Sequence, residues 1–275
     1  MLGWLKDRFA RTPLVPVVRL SGVIASSGLL GPRGLSIETV APLLQRAFAL
    51  RGARAVALVL NSPGGSPVQS SLIAQRIRLL AVEKNLPVIA FVEDVAASGG
   101  YWLACAADEI LVDAASIVGS IGVISAGFGF PDALARLGVE RRVHTSGERK
   151  SMLDPFRPEN PDDVERLERL QSEIHEGFKE WVRQRRGDRL KADAALLFTG
   201  EFWTGRRGVE LGLVDGVGEI RATLQARYGP RVRLPVIAPR RRLLSRLGLG
   251  ASIESVGPAA LAAVEERLHW QRYGL

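Results

Sequence analysis

Apolar residues in the first half of the chain fall into runs rather than into strict alternation. The first run, LVPVVRLSGVI (Leu14–Ile24), reads as a buried strand. A loop holding Gly28, Gly31, Pro32 and Gly34 follows, and Ile37–Leu50 then shows helical spacing. The pattern repeats. RAVALVLN (Arg54–Asn61) predicts a strand, SPGGSP breaks it, and Val68–Val82 predicts a helix. A third unit begins with LPVIAFVEDVA and passes through ASGG into Tyr101–Ala107. Strand, glycine loop, helix, three times over, predicts an α/β fold: a parallel sheet with crossover helices. Such sheets carry their chemistry in loops at the carboxyl ends of strands, where SPGGSP and ASGG both fall.

Further along, Glu109–Asp113 predicts a short strand, followed by the glycine-rich VGSIGVISAGFG. A helix is predicted over Asp132–Leu137, a strand over VERRVHTS, and a connector over GERKSMLDPFRPENP. A long amphipathic helix starts at Asn160 or Asp162 and ends near Gly187; its charged run reads as a solvated face with i,i+4 pairs. Helices over Arg206–Gly212 and Glu219–Tyr228 flank the turn Gly216–Gly218, and RVRLPVIAP predicts a final strand. The resulting division is an amphipathic segment at 1–13, a main domain at 14–239 and a basic amphipathic extension at 240–275 with a helix at its end.

Composition narrows the function classes. The chain has 275 residues, a net charge of +8, 32 arginines and five lysines. A surface of that sign attracts anionic lipid or nucleic acid, yet the basic residues are scattered and no nucleic-acid motif is found, so no nucleic-acid partner is expected. The single cysteine, Cys105, excludes an internal disulfide and reads as a core residue. No cluster of His, Cys and carboxylate has ligand spacing, so neither metal nor cofactor is expected. No transmembrane anchor is evident: the longest uncharged stretch, near Ile117–Phe130, is shorter than the roughly 20 apolar residues a spanning helix needs. Leu2, Leu5 and Phe9 would share one face of a short helix, suited either to resting on a membrane surface or to docking on the domain. The expected location is cytoplasmic or peripherally membrane-associated.

Nucleophilic attack on a carbonyl needs an activated hydroxyl, a base within reach and donors aimed at the developing oxyanion. Ser98 lies just past a buried strand at the start of a helix, where serine also serves as an ordinary N-cap. The glycines after it permit close approach of a substrate and leave the Gly99 N–H free to donate. The NSPGGS loop (Asn61–Ser66) is a tight turn or an oxyanion loop in which Gly64 and Gly65 present backbone N–H groups. Two bases are available. His144 lies in VERRVHTS on either face, and Lys150 lies in the connector. A lysine acts as a base only when neutral, so its pKa must fall from about 10.4 toward about 7–8, which costs roughly 4 kcal/mol and which burial can supply.

The segment EDVAASGGYWLACAADEILVDAASIVGSIGVI closely resembles the signal peptide peptidase A and SohB-like serine peptidases. So do NSPGGS, HTSGERKSML and GEFWTGRRGVELGLVDGVGEI, and the motifs occur in the family's order between Leu14 and Ile220. The resemblance implies a ClpP/crotonase-like fold and a Ser–Lys dyad. It makes Ser98 the nucleophile, Lys150 the general base, and Ser120 of GSIG the serine that hydrogen-bonds the lysine. It places the oxyanion hole at Gly64, Gly65 and Gly99. It implies cleavage of apolar peptides such as remnant signal peptides, with small or apolar residues near the cut, through an acyl-enzyme. It also implies a homo-oligomeric ring or dome whose sites lie at subunit boundaries. The chain carries one copy of the catalytic region, so one subunit or two can supply each Ser–Lys pair. Three rival readings stand beside this one: crotonase-type chemistry on an acyl-CoA thioester, a non-catalytic scaffold, and a ClpP-like site with His144 as base.

Overall fold

The computed structural model describes residues 12–26, 34–147, 149–239 and 267–275. Most of the predicted 1–13 segment, the Gly28–Pro32 loop and most of the 240–275 extension lie outside the described residues. The chain runs β1 (Val17–Ser21), α1 (Ile37–Phe48), β2 (Val56–Ser62), α2 (Pro67–Lys84), β3 (Val88–Ala97), α3 (Gly99–Ala104), β4 (Glu109–Val112) and β5 (Ile117–Gly119). It continues through α4 (Pro131–Arg136), α5 (Pro161–Arg186), α6 (Ala194–Leu197), β6 (Phe202–Thr204), α7 (Gly205–Leu211), β7 (Gly216–Val217) and α8 (Ile220–Tyr228).

The sheet order is β1-β2-β3-β4-β7, all parallel. β2 and β3 lie at its centre and are covered on both faces, which is why both read as unbroken apolar runs. One face packs under α1, α2, α3 and α5; the smaller core on the other face includes Leu224 of α8. Local signals set the helix starts. Ser36 and Thr39 form a capping box on α1, Ser66 caps α2 with Pro67 behind it, and Asn160 caps α5 with Pro161 behind it.

β3 is long enough to serve two neighbours. Its first half pairs with β4, and Val95–Ala97 pairs with β5, which then pairs antiparallel with β6. Between the halves the register against β2 shifts, so that Leu60 faces Val92 and Ser62 faces Ala96. Side chains cover the irregularity. Asn61 Nδ2 donates to Asp94 at 2.6 Å, its Oδ1 accepts from the Val95 N–H at 3.2 Å, and the Ser116 hydroxyl donates to the Glu93 carbonyl. The shift swings the end of β3 away from β4 and carries Ser98 to the rim of the sheet.

Two predicted strands do not form. VERRVHTS is exposed coil, because a strand needs a ladder partner and none of the described residues between Gly122 and Asn160 is buried. This arm leaves the sheet and is held by its own contacts: the Phe130 and Phe156 rings lie 5.8 Å apart, and Arg141 pairs with Asp154 at 3.3 Å. RVRLPVIAP makes isolated bridges to the β1 edge, Leu14 with Arg233 and Val17 with Val236. The Val15 and Val17 N–H groups donate to the Arg233 and Pro235 carbonyls, but Pro235 carries no N–H to return to the Val15 carbonyl, so the ladder is broken there. Among the described residues no helix is long and apolar enough to cross a membrane.

Candidate active site

Ser98 sits between β3 and α3 with φ 52° and ψ −122°, a left-handed conformation that serine rarely adopts. Its side chain makes no capping hydrogen bond, so the ordinary N-cap role is not the one it fills. The turn instead lifts the hydroxyl off the helix axis and points the first N–H groups of α3 along the same edge, where they lack intrahelical partners. The two glycines that follow are demanded by packing. A Cβ on Gly99 would lie 2.4 Å from Ser70 Oγ, and one on Gly100 would lie 2.4 Å from the Ser62 carbonyl oxygen.

The NSPGGS loop closes over this turn. Gly64 and Gly65 have φ 102° and 137°, and a Cβ on Gly65 would strike the Ile24 carbonyl. Ile24 donates its N–H to the Gly64 carbonyl at 2.8 Å, and its carbonyl accepts from the Ser66 N–H at 2.7 Å. The Gly64 N–H donates to Ser62 Oγ at 3.3 Å. The Gly65 N–H has no hydrogen bond among the described residues, so of the two it is the freer donor. Ser120 follows β5 with φ 53°; its N–H donates to the Glu201 carbonyl at 2.7 Å, and the Ser98 N–H donates to the Gly119 carbonyl at 2.8 Å.

Ser98, Ser120 and Gly65 line one cleft of about 620 Å³ whose walls include Ile24, Val123, Ile124 and Phe202. Among the lining residues that sequence reasoning did not assign to the site are Phe202, His269, Arg272 and Tyr273. The Tyr273 hydroxyl lies 3.3 Å from both Ser120 Oγ and the Pro63 carbonyl oxygen.

Lys150 is not in this cleft. It is exposed on the arm, where its N–H donates to the Gly147 carbonyl at 3.2 Å. His144 is exposed on the same arm. His175 projects from α5, with Nε2 2.9 Å from the Ile121 carbonyl oxygen. One copy of the chain thus brings together Ser98, Ser120, Gly64, Gly65 and Gly99, and leaves Lys150 apart.

α5 clamps the helix behind Ser98. Trp102 stacks on Phe178 at 4.6 Å, the Trp181 indole donates to the Trp102 carbonyl at 3.0 Å, and Arg185 donates to the carbonyls of Cys105 and Ala107 at 2.9 Å each. Tyr101 donates to the Leu213 carbonyl at 2.6 Å, and burial pushes its phenol well above the usual value. Burial likewise pushes the Cys105 thiol up to about 12. Among the described residues no His, Cys and carboxylate group could hold a metal ion.

Residues 81–228 match the profile of Peptidase family S49. The chain belongs to that family. Its S49 relatives include the chloroplastic serine protease SPPA of Arabidopsis thaliana, 31% identical over 74% of this chain and 30% of that protein. A Brucella abortus protein named Na(+)/H(+) antiporter NhaA is 52% identical over 95% of this chain and 37% of its own length. The chain thus spans a little over a third of that relative. Among solved structures, a mutant of the 1510-N membrane-bound stomatin-specific protease matches with TM-score 0.51 and 17% identity, over 83% of this chain and 99% of that one. A second mutant of that protease, in complex with a substrate peptide, matches at TM-score 0.51 and 16% identity. These likenesses bear out the ClpP/crotonase-like S49 fold and the SppA/SohB-like kinship.

Proposed function

We propose that this S49 chain is a serine endopeptidase that cleaves apolar peptides, such as remnant signal peptides, with Ser98 as nucleophile and Lys150 as general base. The observation that carries the reading is the state of Ser98: left-handed, uncapped, and facing the same cleft as Ser120 and the glycine loop. Ser98 Oγ attacks the scissile carbonyl while the lysine amine takes its proton. The oxyanion forms against the N–H groups of Gly99 and Gly65, with Gly64 shaping the loop and contributing its own N–H once released from Ser62. The lysine then protonates the leaving amine, an ester to Ser98 forms, and water hydrolyses it. Ser120 orients the lysine amine by hydrogen bonding.

In this reading the lysine of each site comes from a second copy of the chain, which the position of Lys150 on an exposed arm away from its own cleft supports. That reading calls for a homo-oligomeric ring or dome, and it gives the arm's exposed apolar residues, Phe128 at 82% exposure among them, a surface to pack on. The enzyme works in the cytoplasm or at a membrane surface, needs no cofactor or metal, and takes substrates with small or apolar residues near the cut.

A histidine base is the second reading, and the observation favouring it is His269 on the cleft wall. Fluorogenic peptides with small and apolar residues at the cleaved position, assayed at pH 8, separate the two. Ser98→Ala and Lys150→Ala abolish turnover under the dyad reading, while His144→Ala and His269→Ala leave it. A lysine base also gives a rate that climbs from pH 6 to pH 9. A flat profile, or loss in His269→Ala alone, rejects the dyad.

A further inference from the structure

The last nine residues of the sequence, 267–275, lie against the cleft that holds Ser98, although Tyr273 and Ser120 are 153 positions apart. Residues 267–271 form a helical turn. The Trp270 carbonyl then accepts from the N–H groups of Tyr273 at 3.0 Å and Leu275 at 3.3 Å, and Gly274 takes φ 76° to complete the turn. This short fold presents Tyr273 to the cleft. Its ring meets Phe202 edge-on at 5.1 Å, a favoured aromatic geometry. Its hydroxyl carries one proton, so it can donate to the Pro63 carbonyl while accepting from Ser120 Oγ. The contact thus reaches the NSPGGS loop, β6 and the GSIG serine at once.

We propose that residues 267–275 are a tethered occupant of the Ser98 cleft, and that Tyr273 holds Ser120 in a closed state that peptide substrate must displace. The role of Ser120 in this proposal rests on the dyad reading above. The Tyr273 oxygen stands beside the Ser120 hydroxyl that a lysine amine would bond, so the two compete for that hydroxyl. A peptide lying between Ile24 and Phe202 meets the same obstacle. Entry of substrate and completion of the catalytic pair are therefore both opposed by one side chain, and its departure frees both.

The test uses the full chain with Tyr273→Ala and Tyr273→Phe, in two measurements. Hydrogen–deuterium exchange is followed at Ser120, Gly122 and Glu201 in a Ser98→Ala background, so that it does not depend on catalysis. Exchange at these amides rises in Tyr273→Ala if the segment occupies the cleft. Peptide turnover is then measured with Ser98 intact. Loss of two long hydrogen bonds and one aromatic contact should raise kcat/KM about tenfold in Tyr273→Ala, and loss of the hydrogen bonds alone about threefold in Tyr273→Phe, which keeps the ring. Unchanged exchange in Tyr273→Ala overturns the proposal whatever the activity. Faster exchange with unchanged kcat/KM overturns the closed state and leaves only a surface contact. If no variant turns over peptide while exchange rises, the segment does occupy the cleft and it is the peptidase reading that fails.

Discussion

The Cα of Gly64 faces Ser98 so closely that a Cβ added there would lie 2.8 Å from Ser98 Cβ and 2.8 Å from the Gly99 nitrogen. The loop and the Ser98 turn are therefore one packed unit, and in the proposed mechanism the space between them is where the carbonyl oxygen enters. Gly64→Ala fills that space and also strains a backbone at φ 102°. The expected result is a fall in kcat of about 100-fold, the order seen when one oxyanion donor is lost. The fold should persist, as judged by far-ultraviolet circular dichroism. Full activity in a folded Gly64→Ala protein would remove this loop from the oxyanion hole.

Behind the site, Arg186 is only 2% exposed. Its guanidinium donates to Asp215 at 2.8 and 3.0 Å and to the Gly212 carbonyl at 2.8 and 3.0 Å. Removing one partner of a buried ion pair strands the other, so Arg186→Met should cost about 3–5 kcal/mol of stability, read by denaturant unfolding. The pH dependence follows from Asp215. Burial pushes its carboxyl up, but hydrogen bonds from Arg186 and the Ile110 N–H, with the charges of Arg186 and Arg189, outweigh that and hold it below the usual carboxylate range. A carboxyl depressed on folding contributes stability that is present above its ordinary value of about 4 and is lost as pH falls through the folded value. In Asp215→Asn that acid-linked loss should shrink; an unchanged acid limb would place the linkage elsewhere.

Not all of this was legible in the sequence. β2 and β3 were, because strands covered on both faces read as continuous apolar runs, and α2 was, because Ser66, Pro67 and Asn85 mark its ends. VERRVHTS misled because its residues suit a strand while its partner is missing from the chain's own sheet. RVRLPVIAP misled because its apolar positions outweighed Pro235 in the reading. At the site, the glycine loops and Ser98 announced themselves through backbone demands that only certain residues meet. Ser120 carried no such mark, and its expected role rests on resemblance alone. The positions of Phe202 and Tyr273 at the cleft come from long-range packing, which no local pattern encodes; the only hint was aromatic residues beside glycines in EFWTG and RYGL.

The separation of Lys150 from Ser98 makes a mixing experiment decisive. If each site draws its lysine from a neighbour, Ser98→Ala and Lys150→Ala proteins are each inactive but complement one another. After mixing at equal amounts and exchange of subunits, roughly a quarter of the sites pair an intact Ser98 with an intact Lys150. Peptide turnover should then recover to about that fraction of the unmodified level. No recovery after proven subunit exchange means that both residues act within one chain, and that the arm folds back onto its own cleft during turnover.

Cys105 follows the end of α3, two turns behind Ser98, and is fully buried. Burial disfavours its thiolate and outweighs the nearby Arg186 charge, pushing the thiol up to about 12. The thiolate is the reactive form, so at pH 8 both access and ionisation oppose modification. A chromogenic thiol reagent should leave the folded protein unmodified over an hour and label one thiol per chain when denaturant is added. The same measurement reads the clamp formed by α5. Arg185 and Trp181 hold the carbonyls around Cys105, so Trp181→Ala should raise the labelling rate by loosening α3 before the whole domain unfolds. Labelling that tracks global unfolding in both proteins would mean that α3 opens only with the core, and that the Ser98 turn is as stable as the sheet that carries it.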